Sequence, residues 1–168
     1  MSEVASASRP APVEDGPHDR VSVMVPFLII GSACVVAGGF VAAVTAHAPT
    51  EHASWAAAYL VLVAGVAQVG LGAGQALLAR RPPSARVVAG ELVAWNLGNA
   101  AVIAGTVGGA TVAVDAGGVA LVVALLLILV TTTRPRRTGW PLWAFRGLIL
   151  VVLVSIPVGL VLAAVSPA

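Results

Sequence analysis

The chain has 168 residues, 59% of them hydrophobic and only 10% charged, with a formal net charge of +2. Soluble domains run at about 45–50% apolar and about 25% charged residues, so a water-soluble enzyme is excluded and an integral membrane protein is expected. A single cysteine excludes an intramolecular disulfide framework and any site built from several thiolates. The basic residues are all arginine, and with the abundant Ala, Val, Gly and Pro they fit a GC-rich bacterial genome.

Residues 1–22 combine Ser, Ala and Pro with Glu3, Glu14, Asp15, Asp19, Arg9 and Arg20, without apolar periodicity, and read as a disordered tail. His18 lies in it and carries no signal. The apolar run 23–46 is longer than the about 7–15 residues of a signal-peptide core. Ala46-His47-Ala48 resembles a cleavage motif, but Pro49 follows it directly, so an uncleaved first span is expected, with Cys34 as a small packing residue.

The next loop reads His47-Ala48-Pro49-Thr50-Glu51-His52. Two imidazoles and a carboxylate at this spacing suit copper, zinc or haem iron, with Glu51 or Asp115 as the further ligand that a metal site needs. The same letters also describe a helix start. Pro49 breaks the preceding helix, Thr50 is a good N-cap, and Glu51 favours the positive helix end.

Crossing about 30 Å of hydrocarbon takes about 20 helical residues, and four further segments qualify: 53–79, 87–108, 114–133 and 142–165. Only helices satisfy their own backbone in lipid without closing a barrel. The fold class is therefore all-α, a polytopic bundle of five spans with short loops and a tail at 166–168. Between the third and fourth spans, Gly108-Gly109-Ala110-Thr111 marks a tight turn, with Thr111 or Asp115 as the cap of the fourth helix.

The loop 80–86 carries Arg80, Arg81 and Arg86, and the fourth loop with the start of span five carries Arg134, Arg136, Arg137 and Arg146. With Arg9 and Arg20, every arginine falls on one side. The positive-inside rule makes that side cytoplasmic, so the N-terminus is inside and the C-terminus outside. The aromatics follow: Trp55 and Tyr59 at the outer interface, Trp140, Trp143 and Phe145 at the inner one. Trp95, well inside span three, does not fit this pattern.

Membrane helices associate through small residues and polar contacts. Span two carries Gly70-x-x-x-Gly74; span three carries Ala94-x-x-x-Gly98 and Gly105-x-x-x-Gly109. These two are expected to form the packed centre, and span four, with nothing polar from Val119 to Val130, the most lipid-exposed helix. Ser155 and Pro157 mark a kink in span five.

The intramembrane polar residues belong to the same two spans: Gln68 and Gln75 in the second, Glu91, Asn96 and Asn99 in the third. Gln75 and Glu91 lie at matched depth from their helix ends, as do Gln68 and Asn99 or Asn96, so two cross-helix rungs are expected. An ionisable group inside a span raises a functional hypothesis, while pairing, or snorkelling of Glu91 to Arg86 or Arg80, is the structural reading.

No G-x-x-x-x-G-K-[ST], H-E-x-x-H, G-x-S-x-G or C-x-x-C motif occurs, and the arginine patches beside apolar runs do not indicate nucleic-acid binding. The expectation is a non-enzymatic accessory or scaffold subunit of the bacterial plasma membrane, with the lipid bilayer and other membrane subunits or itself as partners. One alternative is a haem- or copper-handling protein using His47 and His52. The other is a small transporter with a polar path between spans two and three.

Overall fold

Each apolar run of the sequence closes its own backbone bonds as one helix. The computed structural model describes the backbone of residues 17–136 and 138–165, and the side chains of 18–136 and 138–156. The five helices are α1 (Pro17–Thr45), α2 (Glu51–Leu78), α3 (Ala85–Gly108), α4 (Thr111–Thr131) and α5 (Trp140–Val165). Of the described residues 86% are helical, and none is in a strand. The first four helices are long and apolar enough to cross a membrane, and α5 contributes a shorter described apolar stretch, Trp140–Ile156. The tail 1–16, the tail 166–168, Arg9, Arg137 and the Pro157 side chain lie outside the described residues.

The helices begin two to six residues earlier than the hydropathy suggests, because helical backbone extends past the apolar run. Helix α1 already includes Pro17 to Ser22, which lie before the apolar run that opens at Val23. Thr50 caps α2 as expected, accepting from Ala53 N at 3.2 Å. Neither Thr111 nor Asp115 caps α4: Ala110 holds the cap position without a side-chain bond. The tight turn before it is made instead by Gly109, whose φ of 68° turns the chain so that Ala110 N donates to Gly105 O at 2.8 Å. That left-handed conformation favours glycine.

Packing corrects two expectations. Helix α1 packs along the length of α2, and α3 packs on α4; α2 and α3 touch less closely than either pair. At the α3–α4 crossing Gly98 and Gly117 face each other, so that a Cβ on either would meet the carbonyl oxygen of the other, at 3.0 and 2.7 Å. Helix α4 is therefore not the most lipid-exposed helix. It buries Gly117, Leu121, Ala124, Leu125 and Ile128 on one face, and α1 is the more exposed, with 17% of its span buried against 33% for α4. Gly70 and Gly74 do not pack on α3 either; they receive Leu148 and Phe145 of α5. Phe145 is consequently buried rather than interfacial, whereas Trp140 and Trp143 are exposed at 80% and 71%.

Within α2, Leu60–Ala67 winds as a π-helix. Such segments widen the turn and re-phase the faces on either side. After it, Gln68, Leu71, Gly72 and Gln75 form one buried row, while Gly65 inside it lies against Val35 and the Gly31 backbone of α1.

One end of the bundle is laced by arginine-bearing segments. Arg80 N donates to Arg134 O at 3.2 Å and Arg136 N to Leu78 O at 2.7 Å, around an antiparallel bridge of Ala79 with Pro135. The Arg20 guanidinium donates to Ala76 O, Ala79 O and Arg80 O at 2.9, 3.0 and 3.2 Å. It thereby satisfies the terminal carbonyls of α2, where a cation also suits the negative helix end.

Candidate functional site

The residues that stand out chemically are polar side chains placed by three apolar helices. On α3, Glu91, Trp95 and Asn99 recur at four-residue intervals and so share a face, and all three are buried. On α2, Gln68 and Gln75 are wholly buried.

Gln75 and Glu91 are brought together. Gln75 Nε2 donates to Glu91 Oε1 at 2.8 Å and Oε2 at 2.9 Å, and also to Thr131 Oγ1 at 2.8 Å. An amide nitrogen has two hydrogens. One is shared between the carboxylate oxygens and the other goes to the threonine. Thr131 in turn donates to Ile128 O at 2.8 Å. A short relay thus links the last turn of α4 to the carboxylate through α2. Among the described residues no arginine pairs with Glu91, so the snorkelling to Arg86 or Arg80 does not occur.

Thr131 was not legible as a member. It opens the run Thr131-Thr132-Thr133, which reads as the polar end of a span, and all three hydroxyls do bond back to carbonyls of α4. Arg20 was missed for a similar reason, since its neighbours read as a tail.

The second rung does not form. Asn99 Nδ2 donates to Trp95 O and Asn96 Nδ2 to Leu92 O, both at 2.8 Å. A short amide reaches its own helix four residues back more readily than a neighbouring helix. Gln68 has no hydrogen-bond partner at either amide atom, and Gln75 Oε1, Trp95 Nε1 and Asn99 Oδ1 are likewise buried and unpartnered. Each such atom costs about 1–3 kcal/mol. The buried faces of α2 and α3 therefore keep spare donors and acceptors at Gln68, Gln75, Trp95 and Asn99.

At the opposite end, His47, Glu51 and His52 are exposed, and Thr50 and Glu51 serve the start of α2. Among the described residues no three His, Cys, Asp or Glu side chains gather into a metal-holding group, so these three are not assembled with a further ligand.

Comparison with known protein families, with curated proteins and with solved structures finds no match to this chain.

Proposed function

We propose that the chain is a five-span protein of a bacterial plasma membrane, with its N-terminus and arginine-bearing end in the cytoplasm and its C-terminus outside. Its role in this reading is that of a non-enzymatic accessory or scaffold subunit. The orientation is supported by charge asymmetry: Arg20, Arg80, Arg134 and Arg136 belong to segments bonded together at one end, while Glu51 opens α2 at the other.

The observation that carries the scaffold role is a second small-residue face on α3. Gly98 and Gly105 face α4. Away from that contact Ala100, Ala104 and Gly108, four residues apart, are exposed beside Val93, Leu97 and Val107, and a Cβ at Gly108 would meet nothing within 4 Å. Small residues at four-residue spacing let helix backbones approach closely in lipid, so this face suits a helix of another subunit or of a second copy. Tagged protein extracted in mild detergent is expected to carry a partner or a second copy, and Ala100→Leu/Ala104→Leu to lose it. A monomeric, partner-free protein removes the scaffold role.

A second reading, a small transporter, is favoured by the buried, unpartnered atoms of Gln68, Gln75, Trp95 and Asn99, on the two helices that bring Gln75 and Glu91 together. It requires a pH-dependent flux in proteoliposomes that Glu91→Gln abolishes; a flux unchanged by that substitution, or no flux at all, eliminates it.

A further inference from the structure

At the arginine-bearing end, α4 finishes beside the loop after α2, and a cleft of about 390 Å³ opens there, lined by Arg80, Arg81, Val130, Thr131, Thr133 and Arg134. We infer that this cleft holds the phosphate of an anionic glycerophospholipid, whose acyl chains lie along the outer face of α4. The inference rests on the membrane reading above and adds a lipid class and a site to it.

The first argument is charge. Among the described residues none of the guanidinium groups of Arg80, Arg81 and Arg134 has a hydrogen-bonding or carboxylate partner. Three arginines line one cleft with no acid among its described lining residues, and guanidinium forks match phosphate oxygens bidentately. The backbone around them is fixed, because Arg80 N is bonded to Arg134 O and the Ala79–Pro135 bridge lies between.

The C-terminal end of α4 opposes an anion, since a helix terminus there carries about half a negative charge. Three full positive charges outweigh it. The terminal carbonyls are also partly satisfied internally: Thr131 donates to Ile128 O, Thr132 to Ile128 O and Leu129 O, and Thr133 to Val130 O. The threonine protons are thus committed to the helix, and the arginines are left as the ligand-binding donors.

The second argument separates a lipid from free phosphate. Val119, Val123, Leu126 and Val130 are exposed at 64%, 45%, 47% and 66%. Their spacing of four, three and four places them in one row on α4, and Val130 at its end lines the cleft itself. The polar cleft and the apolar row are continuous, which fits a molecule with a charged head and aliphatic chains. Basic pockets at helix ends on the cytoplasmic side bind anionic headgroups by the same physics.

The test is native mass spectrometry of the detergent-purified full chain after exposure to phosphatidylglycerol, phosphatidylcholine or inorganic phosphate. Phosphatidylglycerol should be retained selectively, inorganic phosphate should not displace it, and Arg80→Gln/Arg81→Gln/Arg134→Gln should weaken retention on the order of a hundred-fold. Arg86→Gln/Arg146→Gln, outside the cleft, should retain it. Equal retention of both lipids overturns the inference without needing any variant, and so does an unaltered triple variant of native helicity. Tight binding of inorganic phosphate that excludes the lipid replaces it with a free-phosphate site. Membrane fractionation separates the failures: protein embedded in membranes but indifferent to lipid charge defeats only the lipid site, whereas soluble protein defeats the membrane reading itself.

Discussion

Glu91 is held by one side chain. Gln75 supplies its two hydrogen bonds through a single nitrogen, and no other partner of the carboxylate occurs among the described residues. Removing that donor leaves a buried acid without a hydrogen-bond partner, which costs about 1–3 kcal/mol or more. Removing both partners leaves nothing to desolvate. Gln75→Leu should therefore destabilise strongly, and Gln75→Leu/Glu91→Leu should be more stable than Gln75→Leu alone, measured as loss of helicity on titrating reconstituted protein with a denaturing detergent. Additive losses would mean that the pair is not coupled. The partnership of Gln75 with Glu91 is legible from depth arithmetic on two antiparallel helices, because it depends only on distance from a shared turn. The separation of Gln68 from Asn99 and Asn96 is not legible, because a local bond to Trp95 O or Leu92 O competes at a reach that sequence spacing does not report.

Helices α1 to α5 are legible as apolar runs, with errors at their first turns. Which face each helix turns inward is much less so. In water, hydrophobicity separates core from surface; in lipid it does not, so the buried row Leu121, Ala124, Leu125 and Ile128 is indistinguishable by type from the exposed row Val119, Val123 and Leu126. The glycines carry that information. Gly117 meets Gly98 O and Val102, and a larger side chain there must push α3 from α4. Gly117→Leu should lower stability by about 1–3 kcal/mol or more in the same detergent titration. Gly39→Leu on α1, where a Cβ meets nothing within 4 Å, should change it by less than about 0.5 kcal/mol. Equal effects at the two positions would show that the glycine crossing does not govern the α3–α4 contact.

The molecule as a whole is asymmetric along the helix axes. Arg20, Arg80, Arg81, Arg134 and Arg136 collect at one end, three of them around an unpaired cleft. The other end carries the exposed loop with His47, Glu51 and His52 and the tight turn at Gly109. That polarity follows from the arginine positions, and it underlies both the proposed orientation and the lipid site. Thiol accessibility tests it most directly, in single-cysteine variants made on a Cys34→Ala background and probed with a membrane-impermeant maleimide. Intact cells should label Thr50→Cys and Ala110→Cys but not Ser84→Cys or Thr133→Cys, and inverted vesicles should show the reverse. Labelling of residues 50 and 84 from the same side would contradict the account.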